Sequence, residues 1–404
     1  MDSCDWLKRA IMKICVLGAG VVGVSTAFAL SRLGHEVEVI DRADCVASGA
    51  SHANGAQLSW SHTDPMASPA ILGKLPAFLV GLDPAMRIHL SLKPNFLGWG
   101  LSFLRHCTPS LFEGGRRKRH QLAEDSRLAL SEFERDFAGA KMRRTGIGKI
   151  VLAQTLGQQR AMLQSEKYHT AEQCVEIEPA LKSWGGNNLG GLYAPDDCAL
   201  DTVYFCTRLK DEAETKYGTK FRFGETIHSI STKQGRIDGV TTETGHTRCD
   251  AVIVCLGNDV NALVRPLGLS VPICSVRGYS VTLPAKAHAP KASLTDLTHK
   301  IVFANLGDKI RIAGFADINA LQERSARRVE TLIDIARNCW PDIADYEAEP
   351  SAWTGARPMT PSGIPVIGPT SIEGLFLNAG HGSLGYTFAA GSAQRIANQI
   401  GGPS

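Results

Sequence analysis

The stretch from Met12 to Asp41, MKICVLGAGVVGVSTAFALSRLGHEVEVID, constrains the fold more than any other part of this 404-residue chain. Lys13 to Leu17 is a short apolar run stopping at a glycine, the pattern of a strand buried on both faces of a parallel sheet. Gly18, Gly20 and Gly23 follow as G-x-G-x-x-G. The first glycine permits the turn, the second admits a pyrophosphate to the backbone, and the third lets the next helix lie close on the strand. Ala27, Leu30 and Leu33 carry a helical face to a stop at Gly34, and Val37 to Ile40 is a second apolar strand ending at Asp41. An acidic residue about 20 positions past the glycines suits the hydroxyls of an adenosine ribose. The helix amino end offers free N–H groups and partial positive charge to the phosphates. A dinucleotide is therefore expected, and the motif alone does not choose between NAD and FAD.

Composition narrows the class. With 44% hydrophobic and 21% charged residues, the chain reads as globular and long enough for about two domains. A net charge of +3 is too mild to argue for nucleic acid. The 11 cysteines are scattered, odd in number and without a C-x-x-C, so they read as buried reduced thiols of a cytoplasmic protein, with no metal site expected. No apolar run approaches the ~20 residues of a membrane span. Residues 1–11 read as a short extension without a signal-peptide core.

Along the chain, residues 42–57 are rich in small residues and read as a loop packed against something. Residues 63 to about 140 read as short helices divided by prolines. Within them Arg116 to His120 is a basic run, expected as a solvated helix face; contact with an anionic membrane surface, on the inner face of the cell membrane, is the alternative. Gly148 to Ala153 reads as a strand, and Gly190 to Pro195 as a turn into a helix over 201–217. Short strands follow, ending with the buried run CDAVIVCLG at Gly257. Val271 to Leu283 and Ile301 to Phe315 alternate like antiparallel strands, and Ala326 to Cys339 is helical. Strands of nucleotide-binding type thus occur at the start, the middle and the end. The expected architecture is α/β: a discontinuous Rossmann-type domain with a second, α+β domain inserted, carrying a mixed or antiparallel sheet.

The carboxy-terminal stretch LFLNAGHGSLGYTFAAGSAQ is a buried strand, a glycine turn over Gly380 to Gly385, and a helix. A helix amino end there stabilises the negative charge of a reduced flavin by on the order of a kcal/mol. NAD enzymes need no such turn, so this feature favours FAD. In WTGARPMTPSGIPVIG, Pro358, Pro361 and Pro365 stiffen the backbone around Arg357, the one charge present. An arginine so held suits a two-bond grip on a substrate carboxylate, with a structural salt bridge as the alternative. Arg277-Gly278-Tyr279 offers a further cation, and a Tyr279 hydroxyl to bound the substrate cavity. No triad or P-loop is visible.

Together GAGVVGVSTAFAL, EVEVID, SHANGAQ, GGLYAPDDCALDTVYF, VRGYSVTLP, WTGARPMTPSGIPVIGP and LNAGHGSLGYTFAAGSA resemble the FAD-dependent D-amino-acid oxidase superfamily, most of all its bacterial D-amino-acid dehydrogenases, over residues 12 to about 400. The resemblance implies an FAD-binding domain of residues 12–62, 193–270 and 351–404, and a substrate domain of 63–192 and 271–350. It implies that Gly18, Gly20, Gly23 and Asp41 hold the ADP part. Arg42, Ser51, Asn54 and Gly55 line the pyrophosphate and ring, Ile227 meets adenine, and Gly257 stands at the sheet edge. Gly380, His381, Gly382, Ser383, Leu384, Gly385 and Tyr386 cover the flavin, and Arg357 takes the substrate carboxylate. Because 351–368 has no cysteine, the FAD is expected to be non-covalent. His52 departs from the family's S-x-A-N loop and points to a changed side-chain preference.

The activity so implied is oxidative deamination of D-amino acids to 2-oxo acids and ammonia, with the Cα hydride passing to flavin N5. The alternative is a cyclic or N-methylated substrate: D-proline, D-hydroxyproline, sarcosine or glycine. Two other readings are a NAD(P)-dependent dehydrogenase and a flavin-binding subunit without its own turnover. A quinone, an electron-transfer partner or oxygen would accept the electrons.

Overall fold

The computed structural model describes residues 11–137, 142–320 and 325–401. Residues 1–10, most of the amino-terminal extension, lie outside the described residues.

Five parallel strands and one antiparallel edge strand make the first sheet. Its order is Val366–Pro369, Leu375–Ala379, Ala251–Val254, Lys13–Leu17, Glu36–Ile40 and Lys220–Arg222, with only the first running against its neighbour. The strands come from both ends and the middle of the chain, as the apolar runs predict. Every residue of Ala251–Val254 is buried, the mark of a strand covered on both faces. Helix Val21–Ser31 packs between helices Thr202–Tyr217 and Gly385–Gly401 on one face. Phe28 anchors it there, meeting the rings of Phe133, Phe137 and Tyr217 edge-on at 5.0–6.0 Å.

A nine-stranded mixed sheet forms the second layer. Next to one edge, Cys274–Pro284 lies antiparallel to both Lys309–Ile318 and the edge strand Ser351–Met359. Helix Ala326–Cys339 covers one face, where its Leu332 and Ala336, with Trp340 just past its end, are buried against Val281, Leu283 and Phe303. The other face turns toward the first sheet. There Ser280 Oγ donates to the Ala53 carbonyl, and Arg311 Nη1 donates to the Asn54 carbonyl at 3.0 Å.

Two expectations are corrected. The boundary placed before residue 351 falls after Met359, because Ser351–Met359 pairs along its whole length with Cys274–Pro284. Its one proline, Pro358, does not prevent this. Gly191–Ala194 is likewise not a turn but a strand between Lys149–Leu152 and Tyr168–His169. Its glycines are there for close packing: a Cβ on Gly191 would stand 2.6 Å from the Val151 carbonyl oxygen.

Candidate functional site

The dinucleotide turn is built as its glycines require. Gly18 has φ +103°, and a Cβ there would lie 2.9 Å from the Cys255 carbonyl oxygen on the neighbouring strand; on Gly23 it would stand 1.8 Å from the Gly18 carbonyl oxygen. The Asp41 carboxylate accepts from the backbone N–H of Ala19 at 2.6 Å and of Ala43 at 2.8 Å, tying the second strand's end to the turn. Ser51 Oγ accepts from Val21 N–H at 3.1 Å. The N–H groups of Gly20, Val22 and Gly23 have no hydrogen-bond partner among the described residues. Unpaired donors at a helix start, beside glycines that open the backbone, fit a pyrophosphate.

The other residues named for the cofactor gather around this rim. Asn54 Oδ1 accepts from Ala56 N–H and from Thr202 Oγ1, each at 2.8 Å, which holds the small-residue loop in shape. Gly55 lies against Val302 of the second sheet. Arg42 is exposed and pairs with Asp259 at 2.8 Å, just past Gly257. Ile227 follows Glu225, whose N–H binds the Asp41 carbonyl. At the other end, Gly380 to Leu384 form a tight turn ahead of helix Gly385–Gly401, with Ser383 exposed. Two side chains of this group turn inward. Tyr386 is buried against Phe205 with ring centroids 5.2 Å apart, so only its backbone lies at the helix start. His381 is 2% exposed and pairs with Ser392 Oγ at 3.0 Å.

Burial holds two histidines neutral: His381 in this turn falls to about 3, and His62, near Lys149 and Arg119, falls to about 4. The unfolded chain binds those protons first, near pH 6.5. Stability should therefore decline as the pH falls from about 6.5 toward 4, by roughly 1.4 kcal/mol per unit for each histidine. Calorimetry across that range should show a falling thermal midpoint and a shallower slope for His381→Asn. A flat midpoint would contradict the neutral, buried assignment.

Across the cleft, strand alternation decides which second-sheet residues face the cofactor rim. Trp353 meets His52 with ring centroids 4.6 Å apart, and Gly355 lies against Ala50. Arg357 shares their face, and opposite them on the adjacent strand stand Gly278 and Ser280. The Arg357 guanidinium lies flat over Gly278, where a Cβ would stand 2.1 Å from Nη2. Its one hydrogen bond among the described residues is from Nη1 to the Phe315 carbonyl at 2.9 Å. Phe315 adopts φ +65° at a bulge, which turns that carbonyl out of the ladder. Burial lowers the pKa of Arg357. Its nearest carboxylate, Asp317, is already held by Arg328 at 2.5 Å and by the Tyr279 hydroxyl at 2.8 Å. Arg357 is thus a largely buried cation without an anion of its own.

Tyr279 does not bound this cavity, a correction to the sequence reading. It points to the opposite face, 3% exposed under helix Ala326–Cys339, and burial pushes its hydroxyl up to about 12. Arg277 also turns away, reaching Thr354 Oγ1 at 3.4 Å. Sequence reasoning missed Gly278, Phe315 and Trp353. The signal for Gly278 and Trp353 is the period-two alternation of the two strands, which needs their pairing to be read.

The family model of the FAD-dependent oxidoreductases matches residues 13–399. The chain belongs to this FAD-dependent oxidoreductase family. Two similar curated proteins are the D-amino acid dehydrogenase of Rhizobium johnstonii, 36% identical over 97% of this chain and 96% of that protein, and D-amino acid dehydrogenase 2 of Ralstonia nicotianae, 35% identical over 96% of each. Among solved structures, glycine oxidase from Bacillus cereus superposes with a TM-score of 0.72 at 18% identity, covering 96% of this chain and 94% of that one. L-proline dehydrogenase from P. horikoshii superposes at 0.73 and 16%, covering 97% and 94%. These last two share the fold. As a member of the FAD-dependent oxidoreductase family, the chain uses FAD, and the unpaired donors at the Gly18–Gly23 turn suit it.

Proposed function

We propose that this protein oxidises D-amino acids to imino acids, which water then converts to 2-oxo acids and ammonia. The observation that carries the reading is the largely buried, anion-free guanidinium of Arg357 on the face turned to the cofactor rim. Bound FAD supplies the acceptor for the Cα hydride. The N–H groups of Gly20, Val22 and Gly23 would hold its pyrophosphate, Asp41 its ribose, and the turn from Gly380 to Leu384 its ring, without a covalent link. Arg357, braced by Phe315, would hold the substrate carboxylate and so aim Cα at the flavin. An amine that enters neutral, having lost its proton to water, needs no general base from the neighbouring Gly278, Ser280, Gly355 and Trp353.

The test is anaerobic bleaching of the purified yellow protein by a panel of D-, L-, cyclic and N-methylated amino acids. D-amino acids should bleach it fastest, and acid should release all flavin intact. Faster bleaching by L-amino acids, or by glycine or sarcosine, would overturn the substrate class.

The reduced flavin must pass its electrons to an acceptor, and we infer that the protein meets it at an anionic lipid surface. No helix among the described residues is long and apolar enough to cross a membrane, so contact would be peripheral. The basic run alone is not the contact, since Arg119 is buried, donating to the Thr63 and Gly363 carbonyls. Earlier in the chain, however, Leu82, Leu90, Leu92 and Leu101 are 78%, 76%, 91% and 73% exposed. Exposed Lys93, Arg105 and Arg116 to Lys118 accompany them. Apolar side chains rimmed by cations suit insertion among anionic headgroups. Sedimentation with anionic vesicles should survive high salt and fall at least tenfold in the Leu92→Glu/Leu101→Glu double variant, with flavin content unchanged. Full release by salt alone would contradict insertion.

A further inference from the structure

On the face of the nine-stranded sheet opposite Arg357, three side chains of different chemistry converge. Asp296 ends the strand Ser293–Asp296, His299 lies in the following turn, and Cys339 is the last residue of helix Ala326–Cys339. His299 Nδ1 is 2.6 Å from Asp296 Oδ2 and 3.6 Å from Cys339 Sγ, and the sulfur is 3.9 Å from the same carboxylate oxygen. Both partners therefore meet the same ring nitrogen. A nucleophile relay would need them on opposite nitrogens, so the cluster is not an activated cysteine.

We propose that Asp296, His299 and Cys339 form a binding site for a borderline-soft divalent cation of the zinc class. One imidazole, one thiolate and one carboxylate is a donor set that such an ion takes. With bonds of about 2.0–2.3 Å, a tetrahedral ion holds its ligand atoms roughly 3.3–3.6 Å apart. The two sulfur distances are near that spacing. The shorter oxygen–nitrogen distance is a hydrogen bond, whose proton the ion would replace.

The surroundings fit an ion. Asp296 is fully buried, and its other oxygen accepts from the N–H groups of Thr298 at 2.8 Å and His299 at 3.1 Å, so Oδ2 is aimed at the cluster by the backbone. Beside the cluster opens a cavity of about 250 Å³ lined by Gly185, Gly186, His299, Asn338 and Cys339, room for a water as fourth ligand. Trp184 Nε1, buried next to Gly186, has no hydrogen-bond partner among the described residues. The ion would pin the end of an interior strand to the helix end, on the face of the sheet opposite Arg357.

The test uses the flavin-loaded protein after chelation. Calorimetric titration with Zn²⁺ should give one site per chain. Co²⁺ in its place should give tetrahedral bands in the red, beyond the absorption of oxidised flavin, and a thiolate charge-transfer band in a difference spectrum. Cys339→Ser and His299→Gln should each weaken binding at least tenfold with flavin content and turnover unchanged. Where a variant fails to fold, alkylation of Cys339 in the wild type, located by mass spectrometry, should slow at least tenfold with Zn²⁺. Unchanged Zn²⁺ binding in Cys339→Ser, a Co²⁺ spectrum without thiolate character, or alkylation indifferent to Zn²⁺ would overturn the site.

Discussion

Replacing Arg357 with alanine should lower kcat/KM for the best D-amino acid by about three orders of magnitude while FAD content stays unchanged. A hydrogen bond to a charged group contributes on the order of 1.5–3 kcal/mol. Two in a desolvated cleft come to roughly 3–6 kcal/mol, or about two to four orders of magnitude in rate. Loss of the orientation of Cα adds to this. The flavin should remain because Arg357 lies on the second sheet, across the cleft from the Gly18–Gly23 turn. Arg357→Lys should recover little, since a point charge cannot both hold the Phe315 carbonyl and present a fork. Amines lacking a carboxylate should be poor substrates and indifferent to the change. Near-normal kcat/KM in Arg357→Ala would remove the assigned substrate pose. Arg277 does not replace it, because it faces the far side of the sheet.

Gly278→Ala should reproduce much of this defect without touching a charge. The added methyl would stand 2.1 Å from Nη2 and 2.5 Å from Cζ of Arg357, well inside contact distance. The strand is held against retreat, pairing with Ser351–Met359 at Gly278 itself and with Lys309–Ile318 on either side of the bulge. The guanidinium must therefore lift by about an ångström or leave the Phe315 carbonyl, and a displacement of that size costs on the order of a hundredfold in rate. The effect should appear in kcat as well as KM, with the flavin spectrum and thermal midpoint nearly unchanged. Gly278→Ala combined with Arg357→Ala should be no worse than Arg357→Ala alone, because the two act through one contact. An additive loss would mean that Gly278 serves another purpose.

The second prediction depends on a contact that no reading of the chain in order could supply. The first sheet was legible because its information is local. An apolar run, three glycines at set spacing and a terminal aspartate must lie within one strand–turn–helix–strand unit to work at all, and Gly18, Gly23 and Asp41 stand as that unit requires. The carboxy-terminal strand and glycine turn carried the same kind of local signal. The second sheet was legible as strands but not as a surface. Whether Arg277, Gly278 or Tyr279 faces the cleft depends on pairing with residues 309–318 and 351–359, and one step of register exchanges the faces. The residue type misled there: Tyr279 offers a hydroxyl and Gly278 offers nothing, yet Gly278 lies under Arg357.

Asp296, His299 and Cys339 show the same division. The first two are three residues apart and unremarkable alone, and the thiol arrives from the end of a helix 40 positions on. What the chain determined by itself is the cofactor class, through a motif whose parts are covalent neighbours, and the presence of one stiffly held arginine. Only the tertiary structure decided that this arginine is largely buried without an anion: Asp317, its one near carboxylate, is taken by Arg328 and Tyr279 from the other side of the sheet. Pairing of charges is a matter of distance in space, and distance in sequence does not report it.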